Sequence, residues 1–239
     1  MKAKLLSAAV AVMLGFFANG AFAQDSEQEE DAKSPLVTTI TFVSDYRFRG
    51  ISQNLNDPAL QFASTYYSES GLYLGISGSN VDFGGAAGAN LEIDLYGGWT
   101  GELAQDLTAD VQLIRYNYPG EDIPLAYTEL TGKLIYKGVS AFIGYSNDVF
   151  ATDETGIYYN LGYSVLIAEQ FNLAASVGYY DLDDPVIFGG GIVDISIGVS
   201  RAFGPLTVGL TYIDTNGAFE GVYGETNDNQ IVFSMAATF

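Results

Sequence analysis

The chain of 239 residues carries 29 Asp and Glu against nine Lys and Arg, and it contains neither His nor Cys. The lack of these two residue types excludes a Ser-His-Asp triad, a His metal ligand, a thiolate nucleophile, a haem attachment and a disulfide. The strong negative charge argues against a nucleic-acid partner, because binding to phosphates requires clustered Lys and Arg. A hydrophobic fraction of 48% argues against disorder and favours one large domain or one barrel.

The N-terminal residues predict export. Lys2 and Lys4 precede an apolar run, and the Ala-Phe-Ala sequence at 21–23 has the pattern of a cleavage site. We therefore predict a signal peptide over residues 1–23. The alternative is a retained membrane anchor, which the interruption of the apolar run and the lack of a basic segment after it make less favourable.

The rest of the chain divides into two predicted parts. Residues 24–35 are polar, acidic and without pattern, which is typical of a flexible segment. Residues 36–239 form the predicted folded domain, and no stretch within them approaches eighteen consecutive apolar residues. The domain is therefore expected to be either a soluble β protein or a membrane β-barrel.

Apolar residues alternate with small or polar residues along nearly all of this domain. At the C-terminus the apolar set is Ile231, Phe233, Met235, Ala237 and Phe239. The same period of two runs through residues 91–99, 157–165, 171–179, 193–199 and 206–212. A soluble sandwich would turn these apolar faces to a shared core, whereas a membrane barrel would turn them to lipid. Alternation alone leaves both architectures open.

The connections favour the barrel. Twelve strands are predicted near 36–49, 58–67, 72–81, 91–101, 107–118, 125–136, 139–148, 155–166, 171–181, 191–202, 205–214 and 228–239. Alternate connections are short turns, and the others are longer loops. An even number of strands with short turns on one side is the arrangement of bacterial outer-membrane barrels. The predicted fold is thus an all-β, transmembrane, antiparallel up-and-down β-barrel of about twelve strands.

The aromatic residues are expected to form a girdle at each end of the strands, as amphipathic rings do at the two membrane interfaces. The short-turn set is Tyr66, Trp99, Tyr136, Phe171, Phe203 and Phe239. The long-loop set is Tyr46, Phe48, Tyr116, Tyr118, Tyr145, Tyr179 and Tyr212. Aromatic residues are also good strand formers, so chance clustering is the alternative.

Six sequence blocks stand out along the predicted domain: Ser44–Gln53 (SDYRFRGISQ), Pro58–Gln61, Ser79–Phe83, Glu92–Gly98, Tyr118–Gly120 and Tyr127–Glu129. Together they resemble the TorF-type porin family of bacterial outer-membrane proteins. The resemblance spans essentially all of the predicted domain, and the first block is its most specific part. It implies an outer-membrane barrel with a pore, without implying a particular solute. The strand that ends at Phe239 also resembles the signal read by the machinery that inserts barrels into the outer membrane.

Charged residues on the predicted inner face are the candidates for function. Ile40, Phe42, Tyr46 and Phe48 are expected to face outward on the first strand. This phase places the charged residues of the strand inside, and the same argument applies to the other strands because charge on a lipid face is costly. The candidate lumen residues are Asp45, Arg47, Arg49, Glu92, Asp94, Asp110, Glu129, Lys133 and Asp194.

Two functions follow from such a lumen. Opposed rows of Arg and carboxylate can select small polar solutes or ions that diffuse through a narrow channel. Alternatively, the same ion pairs plug a structural or adhesive barrel that interacts with lipopolysaccharide and transports nothing. Arg115 and Arg201 do not fit the inward phase and are expected at a bulge or at the interface.

The long-loop side is predicted to be uniformly acidic. Its carboxylates are Asp57, Asp82, Glu121, Asp122, Asp148, Asp153, Glu154, Asp181, Asp183, Asp184, Asp214, Glu220, Glu225 and Asp228. Such a rim concentrates cations, which predicts modest cation selectivity. Loop solubility and bridging to lipopolysaccharide through divalent ions are alternative explanations.

We predict no enzymatic activity, cofactor or metal site from the sequence. Known barrel hydrolases resemble one another in using a His, which this chain lacks. Asp153-Glu154 and the acidic run at 181–184 lack the spacing of a dedicated Ca²⁺ loop. The expected partners are outer-membrane lipid, lipopolysaccharide, the insertion machinery and a small polar solute, and the expected location is the bacterial outer membrane.

Overall fold

A computed structural model of the chain describes residues 35–84, 88–183, 191–216 and 229–239. The predicted signal peptide and nearly all of the acidic segment lie outside the described residues. So do Asp184, Glu220, Glu225 and Asp228 of the predicted acidic rim. In the described part of the chain, no helix is long and apolar enough to cross a membrane.

Twelve antiparallel strands close into a barrel, as predicted. The described strands are β1 (Leu36–Val43), β2 (Arg47–Phe48), β3 (Ile51–Ser52), β4 (Ala59–Tyr67), β5 (Leu72–Asn80), β6 (Leu91–Ala104), β7 (Leu107–Asn117), β8 (Tyr127–Tyr136), β9 (Val139–Ser146), β10 (Gly156–Ile167), β11 (Phe171–Leu182), β12 (Ile192–Phe203), β13 (Leu206–Thr215) and β14 (Gln230–Thr238). Each barrel strand pairs with its neighbours in sequence, and β1 pairs with both β4 and β14 to close the ring. Closure leaves no unpaired sheet edge in the ring.

The two faces of the strands have the predicted chemistry. Large apolar side chains cover the outside, as shown by Leu74 at 69% exposure on β5 and Leu161 at 56% on β10. The inward residues alternate with them and are mostly buried, such as Ser196 and Thr211. An apolar outer surface around a polar interior is the pattern of a membrane barrel and not of a sandwich with a shared apolar core.

The first strand is shorter than predicted, which corrects the expected 36–49. Its pairing with β4 stops at Val43, which lies opposite Ala59. The alternation of aromatic and charged residues continues beyond this point, so period two could not locate the end of the strand. Ser44 still bonds to Phe233 on β14, and the chain then leaves the wall. Within residues 45–58, β2 and β3 pair with each other as a separate two-stranded sheet.

Other long connections also contribute buried residues at the same end of the barrel. The loop between β9 and β10 contains a short 3-10 turn, Val149–Ala151, in which Val149 is fully buried. Tyr118 and Leu125 in the loop between β7 and β8 are buried as well. The long-loop end of the interior is therefore filled largely by connecting segments.

Candidate channel interior

Residues 44–58, the internal hairpin, connect β1 to β4. Residues 45–54 lie inside the barrel, whereas Leu55, Asp57 and Pro58 are exposed. The turn of this hairpin consists of Arg49 and Gly50, with φ of 51° and 82°. Two consecutive residues with positive φ between two short strands are typical of a type I′ turn. Gly adopts this backbone without steric cost, whereas Arg at such a position is strained and needs side-chain contacts to hold it.

Polar contacts within the internal hairpin brace its shape. Asp45 forms a salt bridge with Arg47, and Ser52 Oγ donates a 2.6 Å hydrogen bond to the Asp45 carboxylate. Arg47 also donates to the carbonyl oxygen of Gly50 at 2.9 Å and to Asn56 Oδ1 at 2.7 Å. Both Asp45 and Arg47 are buried. This pair thus satisfies its charges within the hairpin rather than across an open lumen.

The second arginine of the hairpin reaches the far wall of the barrel. Arg49 Nη2 lies 2.5 Å from Glu129 Oε2 on β8. Its guanidinium also lies over the rings of Tyr158 on β10 and Tyr180 on β11, at 4.5 and 4.2 Å from their centroids. The carboxylate and the aromatic faces together compensate for the desolvation of this buried guanidinium.

The turn of the hairpin also contacts the next two strands. A Cβ added to Gly50 would lie 2.8 Å from the Asp194 Cβ on β12 and would collide with Thr215 on β13. Asp194 in turn accepts a 2.9 Å hydrogen bond from the Tyr158 hydroxyl. The tip is therefore seated tightly against β12 and β13.

The base of the hairpin contacts the opposite sector of the wall. Tyr46 Oη donates a 2.9 Å hydrogen bond to Glu92 Oε1 on β6, and Phe48 packs edge-on against Tyr116 on β7. Burial, followed by the nearby Glu92 and Asp94, raises the pKa of the Tyr46 hydroxyl well above its usual value, so it remains a donor. Together with the tip contacts, these interactions extend the internal hairpin across the barrel from β6 to β13.

A second polar cluster lies nearer the short turns. The Tyr73 hydroxyl donates to Asp110 at 3.0 Å. Asp110 on β7 is directly opposite Lys133 on β8 in the strand register. Gln112, two residues along the same face of β7, is also buried. Charges of both signs therefore line the interior below the hairpin.

All nine candidate lumen residues lie inside the barrel. The structure divides them into a hairpin layer and a layer nearer the short turns. The hairpin layer consists of Asp45, Arg47, Arg49, Glu92, Asp94, Glu129 and Asp194, and the other layer of Asp110 and Lys133. Their role in selecting solutes stays a prediction.

The predicted outer girdle is partly wrong. Tyr46, Tyr116 and Tyr118 are only 3–4% exposed and pack inside, where the hairpin and its neighbours bury them. Phe48 likewise packs against Tyr116 instead of facing outward. Tyr145 and Tyr179 do lie on the outer surface, at 45% and 43% exposure.

The short-turn girdle agrees with the prediction. Its outward aromatic residues include Tyr66, Phe203 and Phe239, all more than half exposed. Arg201 lies among them, over the rings of Phe171 and Phe203 at 5.3 and 4.8 Å. A long cationic side chain lying over aromatic rings at a strand end is typical of snorkelling to an interface.

Sequence reasoning missed several aromatic residues of the interior. Tyr127 stacks on Tyr116 with ring centroids 4.6 Å apart, and Phe150 of the β9–β10 loop packs on Tyr127 at 5.0 Å. Tyr158 and Tyr180 form the cradle of Arg49. The available signal was their position among Gly, Ser and Asn on the polar face of a strand, where an aromatic residue indicates an internal partner.

Comparison with known proteins supports this architecture. Residues 27–239 match the family described as "Bacterial protein of unknown function (Gcw_chp)". No curated protein matches the sequence. The NanC porin structure is similar with a TM-score of 0.54 and 12% identity, covering 85% of this chain and 98% of that chain. The KdgM porin structure is similar with a TM-score of 0.52 and 5% identity over the same shares. At these identities the likeness establishes the barrel fold alone.

Proposed function

The chain belongs to the Gcw_chp family of bacterial proteins, and from its constricted, charge-lined barrel we propose that it is an outer-membrane channel of the porin type. It admits small polar solutes or ions by passive diffusion. The resemblance to TorF-type porins leads to the same expectation. The proposed path is narrow, because the width of a twelve-stranded barrel lies between that of the filled eight-stranded barrels and that of the open porins with sixteen or more strands.

The position of the internal hairpin is the observation that carries the proposal. It is attached between β1 and β4, yet its tip reaches Glu129 on β8 and Tyr158 on β10, across the barrel. A segment in this position narrows the passage at the long-loop end. Its two arginines are paired with Asp45 and Glu129, so the charge of the hairpin is compensated locally and the segment acts mainly as a constriction.

The outer surface supports a membrane location. Aliphatic side chains cover the strands, and aromatic residues lie at the short-turn end. The predicted signal peptide and the terminal strand ending at Phe239 fit export and insertion by the outer-membrane machinery. Lipid and lipopolysaccharide would then surround the barrel.

The interior charge favours cations over anions. The candidate lumen residues comprise six carboxylates and three cationic side chains, and the described part of the rim adds further acids such as Asp82 and Asp122. One similar structure is that of the KdgM porin in complex with disordered oligogalacturonate, which is a polyanion. The acidic interior of this chain does not favour such a substrate.

A plugged structural or adhesive barrel is the second candidate. It is favoured by the burial of the hairpin, in which Tyr46, Arg47 and Arg49 are each less than 5% exposed. Such packing would stop conduction if no path remained beside it. Both candidates share the same fold and differ only in conductance.

Single-channel conductance of the refolded protein in a planar bilayer tests the proposal. The structure suggests an informative variant, because β1 and β4 remain paired up to Val43 and Ala59. Residues 44–58 can therefore be replaced by an Asn-Gly turn, which suits a two-residue connection of paired strands.

We expect small, discrete steps from the wild type and clearly larger steps from the shortened variant. Heat-modifiable migration on a gel verifies that both proteins form folded barrels. A silent wild type with a conducting variant would instead identify a plugged scaffold. If both proteins are folded and neither conducts, the channel proposal is rejected for the barrel with the hairpin and for the barrel without it.

A further inference from the structure

The wall beside the base of the internal hairpin carries a cluster of inward-facing oxygen atoms that the channel proposal does not explain. Gln61 on β4 is opposite Ser79 on β5, and Ser79 is opposite Glu92 on β6. In the adjacent inward-facing row, Ser77 on β5 is opposite Asp94 on β6. All five side chains are 5% exposed or less. Three neighbouring strands thus present them to one small region of the interior.

Several of these polar atoms have no partner within the described part of the chain. Both side-chain atoms of Gln61 lack a hydrogen bond, although this residue is only 1% exposed. Asp94 Oδ1 is also buried and without a partner, while its other oxygen accepts a hydrogen bond from Ser77 at 2.9 Å. Gln61 on β4 and Asp94 on β6 are separated by β5 and lie in neighbouring inward-facing rows. Because buried polar atoms are nearly always satisfied by protein, water or an ion, their unpaired atoms point to a bound species in this part of the interior.

Among the described residues, Glu92 and Asp94 are not paired with a cationic side chain. The described residues include no Lys or Arg within salt-bridge distance of Glu92 or Asp94, since the salt bridges present join Arg47 to Asp45 and Arg49 to Glu129. Two buried carboxylates on one strand face would repel each other strongly without compensation. A bound cation would remove this repulsion and satisfy the free oxygen atoms together.

We propose that Glu92, Asp94 and Gln61 hold a Ca²⁺ ion. Carboxylate, amide and hydroxyl oxygens are the ligands of a hard cation, and two carboxylates balance the charge of a divalent one. No group of three or more carboxylates with metal-binding geometry occurs among the described residues. The remaining ligands would then be Ser77, Ser79 and water, which suits the weaker, extracellular class of Ca²⁺ sites with dissociation constants of about 10⁻⁴–10⁻³ M.

The ion would connect the wall to the hairpin. Tyr46 Oη lies 2.9 Å from Glu92 Oε1, so the base of the hairpin covers the cluster. Ca²⁺ would therefore stabilise the hairpin in its internal position. This inference does not rest on the proposed channel function, because binding can be measured whether or not the barrel conducts.

Terbium luminescence provides the test, with the full refolded protein in detergent. Tb³⁺ occupies oxygen-rich Ca²⁺ sites, and excitation of a nearby tyrosine sensitises its emission. Tyr46 is placed to act as the donor of that energy. We expect sensitised emission from the wild type, with competition by Ca²⁺ in the millimolar range and none by Na⁺ at equal concentration.

Three variants make the result specific. Glu92→Gln/Asp94→Asn keeps side-chain size and removes both charges, so the emission should fall at least tenfold. Asp153→Asn/Glu154→Gln removes two negative charges from the exposed rim instead of the interior and should leave the emission unchanged. Gln61→Met removes only the amide and should weaken Ca²⁺ competition severalfold. This variant tests the site if Glu92→Gln/Asp94→Asn fails to fold.

Two sets of results would overturn the inference. The first is a wild type without sensitised emission or Ca²⁺ competition, which would indicate a pair of carboxylates sharing a proton. The second is emission that survives in the folded lumen variants or disappears in the rim variant. Heat-modifiable migration identifies which variants are folded, so each measurement is interpretable.

Discussion

Arg49 at the tip of the internal hairpin forms a salt bridge with Glu129 on β8, although 80 positions separate the two residues in sequence. Both side chains are buried, at 4% and 1% exposure. The contact joins a segment that starts at β1 to the opposite sector of the barrel. It is the clearest link between the hairpin and the wall, and it determines what a substitution at this point should do.

Replacement of Arg49 by Ala should release the hairpin from the far wall. Glu129 would be left as a buried carboxylate without its cation, which typically costs about 3–5 kcal/mol. Displacement of the hairpin would relieve this cost and widen the passage. We expect a larger single-channel conductance. We also expect the barrel to unfold at a lower temperature, measured as the temperature at which its migration on a gel changes.

Arg201→Ala is the matched control for that prediction. Arg201 also lies over two aromatic rings, but on the outer surface at the short-turn end. Its removal should leave conductance unchanged. If Arg49→Ala behaves like Arg201→Ala, the hairpin does not depend on the contact with Glu129.

Gly50→Ala should also disturb the seating of the hairpin. Its φ of 82° is unfavourable for Ala, by about 1–2 kcal/mol, and the added Cβ would approach the Asp194 Cβ to 2.8 Å. The midpoint of heat-modified migration should fall and conductance should rise.

Gly120→Ala separates the two causes of this effect. Gly120 has a φ of 85°, but nothing lies within 4 Å of the position of an added Cβ. It therefore reports backbone strain without a steric clash and should leave conductance at the wild-type value. Equal effects of the two substitutions would mean that the tip is not packed against β12 and β13.

The sequence predicted the ring of strands well because the two faces of each strand meet different surroundings. Leu161 and Ile197, for example, lie on the outer surface where alternation placed them. These two faces also fix the register, because a shift of one strand by one residue would turn its apolar side chains inward and its polar side chains outward. Strand bounds other than those of β1 were accordingly close to the prediction.

The internal hairpin could not be found in the same way. Tyr46 and Phe48 alternate with Asp45 and Arg47 as they would in a wall strand, so period two continues through a segment that has left the wall. The difference lies in long-range partners such as Glu92 and Tyr116, which no local pattern specifies. The nine candidate charged residues lie inside whether residues 44–49 continue the first wall strand, as predicted, or form the internal hairpin, as observed.

Charge selectivity should respond in opposite directions at two facing positions. Asp110 and Lys133 are opposite each other in the register of β7 and β8. A single charge about 8 Å from a permeating ion in water contributes ~0.5 kcal/mol, or about twofold in a permeability ratio. Asp110→Asn should therefore lower the preference for cations, and Lys133→Gln should raise it.

The reversal potential in a KCl gradient measures this ratio for each variant. The double substitution serves as the control, because it removes one charge of each sign and should restore a value near that of the wild type. A shift of both single variants in the same direction would show that ions do not pass between these side chains.

A charge placed on the outer surface should reveal the membrane-facing part of the barrel. Leu161 lies in the middle of β10 and is 56% exposed, while Phe203 ends β12 beside Arg201 and is 53% exposed. Arginine costs about 2–4 kcal/mol at the midplane of a bilayer and ~0–1 kcal/mol near an interface. Leu161→Arg should therefore lower the free energy of unfolding in lipid vesicles by the larger amount, and Phe203→Arg should have little effect. Equilibrium unfolding by guanidinium in vesicles compares the two directly. Because both sites are similarly exposed, equal losses of stability would argue that the apolar surface does not face lipid, and the outer-membrane location would have to be abandoned.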